Sequence, residues 1–93
     1  SSSELDQKAR RLSVVQPRVT STLLRQAPAT VVVIFIVDEN GRVQDPKIQR
    51  TTNPSFDRSA LSAIKQWKFE PAKVQGRAVS SRLRQSFSFE NNV

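Results

Sequence analysis

The feature that most constrains this chain is the unbroken run Val31-Val32-Val33-Ile34-Phe35-Ile36-Val37. β-branched and aromatic side chains at this density favour a strand, and the run is too short to cross a bilayer, which takes about 20 apolar residues. It does not alternate between apolar and polar, so both of its faces are expected to be shielded and the strand belongs in the middle of a sheet. Glu39-Asn40-Gly41-Arg42 follows it directly. Asn and Gly tolerate the positive φ angles of a tight turn, so the chain is expected to reverse here, with Glu39 and Arg42 placed to pair across the turn.

The returning segment Val43–Thr51 contains Pro46. Proline has no N–H for a ladder, which assigns this strand to an edge or to a bulge. Asn53-Pro54 is then a helix start, with an N-cap and a proline at the first helical position. Phe56, Ala60, Leu61, Ile64 and Trp67 recur on one helical face, with Asp57 in the first turn and Lys65 and Lys68 in the last. Pro71 is expected to stop this helix. Beyond Gly76, Ala78–Glu90 has period two: Val79, Leu83, Phe87 and Phe89 share one parity, and Arg82, Arg84, Ser86 and Ser88 the other. Ahead of the central run, Arg18–Gln26 carries Val19, Leu23, Leu24 and Ala27 at helical spacing, and Leu12–Val15 could add a short strand before Pro17.

These elements assemble into one α+β domain, a three-stranded antiparallel sheet with two helices on one face and a short extra N-terminal strand. A right-handed crossover through the long helix sets the last strand beside the all-apolar one, in the order second–first–third. Residues 1–11 are read as a flexible linker end and 12–93 as the domain. The last strand is then an edge with no proline to block it, and Val79, Ser80, Ser81, Arg82, Leu83, Arg84, Gln85, Ser86 and Phe87 are the candidate partner-binding residues. An open edge must be charged, covered or used. The same edge could also pair or exchange strands between two copies, so both a monomer and a strand-exchanged homodimer are open.

Composition narrows the function. The chain has neither Cys nor His, which removes the usual nucleophile–base pairs and most transition-metal sites. Its eight carboxylates are scattered over termini, turn and helix ends, and its two glycines build no phosphate loop. No catalysis, metal or cofactor is expected. The formal charge of +7 raises nucleic acid as an alternative partner, but the aromatic residues fall at core positions or opposite the arginines, and stacking on the basic face is not supplied.

Several of these pieces together carry a family resemblance. Val37-Asp38-Glu39-Asn40-Gly41-Arg42-Val43, then Pro54-Ser55-Phe56-Asp57 with Ala60-Leu61, then Trp67-Lys68-Phe69-Glu70-Pro71-Ala72 with Gly76 beyond resemble the C-terminal domain family of TonB-type energy transducers over about Pro17–Phe89. Asn40, Gly41, Phe56, Asp57, Trp67, Phe69, Pro71 and Gly76 are structural motif residues in this reading. Trp67 and Phe69 cap the core. The resemblance implies a periplasmic domain of an inner-membrane-anchored protein in a Gram-negative-type bacterium, driven through its N-terminal part by an ExbB–ExbD-type motor. Such a domain grips the N-terminal segment of an outer-membrane TonB-dependent receptor by strand addition to its last strand. Arg82 and Arg84 would steer an acidic segment. The chain departs from the family at Gln16-Pro17, where Tyr-Pro is usual, and at Ala29-Thr30, where a Gly is usual. The alternatives are a TolA-like or signalling adaptor that grips another protein and, more remotely, a basic nucleic-acid module.

Overall fold

The computed structural model describes residues 7–90. A three-stranded antiparallel sheet is built from β2 (Ala29–Val37), β3 (Val43–Thr51) and β7 (Ser81–Phe89), in the order β3–β2–β7. The all-apolar run is thus the central strand. Along β2, Val31, Val33, Phe35 and Val37 face inward and are buried at 0–3% exposure. They meet Phe56, which leads a helix, and Ala60, Ala63 and Ile64 of that helix, α2 (Asp57–Lys65). Full burial of side chains such as Phe56 and Ile64 stabilises by roughly 1.5–3 kcal/mol each. No polar or charged residue is buried among the described residues.

Asn53 begins the helical segment as expected: its side chain accepts from Ser55 N–H at 3.0 Å, and a short 3-10 turn, Pro54–Phe56, leads into α2. The helix then ends sooner than the spacing suggests. It stops at Lys65, so Lys68 is not in its last turn and Pro71 does not terminate it. Instead Trp67 leads into β4 (Lys68–Glu70), and Pro71 joins β4 to β5 (Ala72–Val74). Trp67 and Phe69 still close the core, with ring centroids 6.2 Å apart, because a strand leaving the helix end puts alternate side chains inward.

Two further expectations change in the structure. The first helix is only α1 (Ser21–Leu24), because Thr20 acts as its N-cap, accepting from Leu23 N–H at 3.1 Å, and leaves Arg18 and Val19 outside. The last strand does not run from Ala78 to Glu90 without interruption. Arg77–Val79 forms β6, a hairpin partner of β5, and the edge strand begins at Ser81. A short N-terminal strand is present as β1 (Arg10–Ser13), paired antiparallel with β4. Of the segment read as a flexible linker end, residues 1–6 lie outside the described residues. Gln7 bridges to Lys73, and Arg10 pairs with Glu70 at 2.6 Å.

Candidate peptide-binding edge

The hairpin between β2 and β3 sets β3 against the central strand. Asp38 organises it: one carboxylate oxygen accepts from the N–H groups of Asn40 and Arg42 at 2.9 Å, and the other accepts from the Gln44 amide at 3.0 Å. The Arg42 N–H, then the Gln44 amide, hold the Asp38 carboxyl below its ordinary value. Gly41 sits at φ +79, and a Cβ there would come within 1.9 Å of the Phe69 carbonyl oxygen. The Phe69 N–H also donates to the Gly41 carbonyl at 2.9 Å, so the turn is docked on β4. Asn40-Gly41 and Trp67-Lys68-Phe69, far apart in sequence, form one joint. Gly76 (φ +76) turns the β5–β6 hairpin with open space around it.

β7 pairs with β2 in unbroken register from Ala29↔Phe89 to Val37↔Ser81, and nothing pairs with its other side among the described residues. Which backbone groups are free follows from Thr30. Its N–H donates to the Thr52 hydroxyl at 2.9 Å and its carbonyl accepts from Thr52 N–H at 3.0 Å, so both groups point away from β7. Thr30 and Ser88 are therefore a non-hydrogen-bonded pair, and alternation along the strand turns the N–H and C=O of Arg82, Arg84, Ser86 and Ser88 outward. The Gln85 side-chain amide donates to the Ser86 carbonyl at 2.8 Å, as an outward carbonyl permits.

A groove of about 570 Å³ lies along the C-terminal half of this edge. Its lining brings Ser86 and Ser88 of β7 together with Val14, Val19, Leu24 and Trp67 and with the polar Arg11 and Gln16. Trp67 is held in place by its ring N–H, which donates to the Val15 carbonyl at 2.9 Å, and by an edge-on contact with Phe87 at 5.7 Å. Among the described residues, the two large apolar side chains left exposed, Leu12 and Val14, belong to the N-terminal stretch beside this groove.

Of the candidate edge residues, Ser81, Arg82, Leu83, Arg84, Gln85, Ser86 and Phe87 lie in β7. Val79 pairs with Ala72 in the β5–β6 hairpin, and Ser80 only connects the two strands. Sequence reasoning missed Ser88, which continues the outward parity, and the part that Val14, Val19 and Leu24 take in the groove, because helical spacing marks Val19 and Leu24 only as one face of a helix. The exposed face of β7 carries Arg82 and Arg84, whereas the five phenylalanines and the tryptophan are all buried, leaving no ring for a base to stack on.

The geometry is that of a small α+β domain with one free, straight sheet edge beside a groove of mixed polar and apolar lining. Comparison with known proteins gives it a family. The model for the Gram-negative bacterial TonB protein C-terminal matches residues 23–90, and the chain belongs to this family. It is 33% identical over 63 residues to Protein TonB of Xanthomonas campestris pv. campestris strain B100, and equally to that of strain ATCC 33913. The match covers 67% of this chain but 28% of those proteins, so the chain spans less than a third of their length. The solution NMR structure of the Pseudomonas aeruginosa TonB C-terminal domain superposes with a TM-score of 0.74 at 25% identity, covering 95% of this chain and 91% of that one.

Proposed function

We propose that this domain is the receptor-gripping end of a TonB-type energy transducer. It takes up the N-terminal segment of an outer-membrane transporter as an added strand on β7, in the periplasm, and catalyses no reaction. The ExbB–ExbD-type motor would act through parts of the protein that precede this domain, and the domain passes its pull to the transporter. The observation that carries the reading is the β7 edge, with four outward N–H groups in unbroken register beside a groove of mixed polar and apolar lining. Main-chain bonds along such an edge share a pull over several residues, and alternate side chains in the groove supply selectivity. The family membership supports a transducer over a TolA-like or signalling adaptor.

The test is peptide affinity in Ser86→Pro. The native Ser86 N–H faces outward and has no ladder partner, so proline there should leave the domain folded while deleting a central donor. Affinity for a peptide from a transporter's N-terminal segment should fall at least about tenfold, the equivalent of roughly 1.4 kcal/mol. Unchanged affinity in a folded variant would place the site elsewhere.

A further inference from the structure

The inner face of the sheet is covered by α2, but its outer face carries no element of the described residues. The two-sided shielding expected of an all-apolar strand is met, since no residue of β2 is exposed, but on this face side chains of the flanking strands stand beside it in place of a helix. Val32, Ile34 and Ile36 line the centre of this outer face; Val32 is 5% exposed and the two isoleucines are half-buried. Cations cover them from both sides. On β7, Arg84 stands opposite Ile34 and Arg82 opposite Ile36; on β3, Arg50 stands opposite Val32 and Lys47 opposite Ile34. Stems of Lys and Arg lie readily over apolar surface while their heads stay in water. The single ion pair among the described residues is Arg10–Glu70, so none of these four cations has a carboxylate partner. A shallow depression of about 150 Å³ opens over Ile34 and Ile36, walled by Lys47, Arg82 and Asp45.

The geometry points to a second docking surface here, for an amphipathic helix of a partner protein whose apolar stripe is flanked by carboxylates. The two cation-bearing strands are separated by two interstrand spacings, about 10 Å, which is close to the width of one helix. The accessible part of the stripe, Ile34 to Ile36, spans about 7 Å along β2, more than one helical turn. A helix laid along β2 would put its apolar side on Ile34 and Ile36 and its acidic flanks against Arg82 and Arg84 on one side and Lys47 and Arg50 on the other. The molecule already uses this arrangement on its inner face, where the stripe Ala60, Ala63 and Ile64 of α2 packs on the same strand. A second copy of this face is a poor occupant because four cations would meet four cations. A bilayer fits less well because the isoleucines are half-buried while the four flanking cations are exposed. This surface shares Arg82 and Arg84 with the β7 edge but is separable from it, because it uses their side chains on the sheet face and no outward backbone groups.

The experiment is an NMR titration of the isotope-labelled domain with a synthetic helical peptide of about 18 residues, roughly 27 Å long, bearing a leucine stripe flanked by glutamates. The amide shifts expected are those of Val32, Ile34, Ile36, Lys47 and Arg82. Affinity should fall at least about tenfold in the double variant Lys47→Glu/Arg82→Glu and stay unchanged in Ser86→Pro, which separates this surface from the edge. Both charge-reversed positions are exposed, and the dispersion of the spectrum reports whether the fold is kept. Absence of shifts on the outer face would overturn the proposal. So would equal binding of a lysine-flanked version of the peptide, or shifts at these residues with vesicles of anionic phospholipid and none with the helix.

Discussion

The two edges of the sheet are built from strands of equal length and opposite character. β3 is bent out of register twice, between Val32 and Val33 and between Ile34 and Ile36 of its partner. The second irregularity coincides with Pro46 and with Asp45, whose φ is 50. Proline removes a donor and the bulge twists the strand, so this edge is a poor template for another chain. β7 has neither device, and keeps register with β2 over all nine residues. A domain that blunts one edge and leaves the other straight has kept the second available. The charges on β7 point the same way: Arg82 and Arg84 discourage pairing with a like-charged copy while leaving the backbone open to an acidic or neutral strand.

The largest expected effect comes from removing what supports the open edge. Trp67 packs beneath Phe87 and ties down the groove wall through Val15. Trp67→Ala should therefore cost roughly 3–5 kcal/mol in chemical denaturation. Loss below 1 kcal/mol would show that β7 holds its line without this support.

Next in size is the joint that fixes the blunted side. Gly41→Ala adds a methyl where the Phe69 carbonyl already lies and demands positive φ of a residue that resists it. About 3 kcal/mol is expected from strain and repacking together. Gly76→Ala pays only for the backbone angle, about 1 kcal/mol, because nothing crowds that position. Similar costs at the two glycines would mean that the docking of the turn on β4 contributes little.

Much of this contrast was legible in the sequence. Pro46 announced the blunted edge, the run Val31–Val37 the central strand, and the parity of Leu83, Phe87 and Phe89 the buried side of the other edge. The spatial order β3–β2–β7 followed from those residues and one crossover rule. The segments that escaped were short and held by distant partners. Lys68–Glu70 is a strand because β1 pairs with it and Gly41 docks on it, neither of which shows in local periodicity. The break at Ser80 escaped for the same reason: Val79 has the right parity for the long strand, but its partner is Ala72. The place of Val14, Val19 and Leu24 in the groove escaped because helical spacing shows that Val19 and Leu24 share a face but not which distant strand they meet.

Smaller effects sharpen the comparison. Pro46→Thr restores a donor on β3 but leaves the bulge, so transporter-peptide affinity should stay within about twofold of the parent, a change below roughly 0.5 kcal/mol. A gain in affinity would show that proline alone, and not the bulged shape, keeps strands off β3. The turn should respond to acid. The folded Asp38 carboxyl titrates below its ordinary 3.8, so its stabilising contribution is present above that value and is lost as pH falls through the depressed folded value. Amide exchange at Asn40 and Arg42, corrected for intrinsic rates, should accelerate in that acid window and show no such change between pH 5 and 8. Asp38→Asn should weaken the acid response.

The central claim is that Arg82, Arg84, Ser86 and Ser88 offer free main-chain groups to an incoming strand. Residue-resolved hydrogen exchange of the domain, alone and with a transporter N-terminal peptide, tests it most directly. Alone, these four amides should exchange fast while those of Leu83, Gln85, Phe87 and Phe89 are protected by β2. With peptide, protection should appear at the outward set, most clearly at Ser86 and Ser88 beside the groove. Peptide binding that leaves those amides unprotected, or protects amides along β3 instead, would contradict the account.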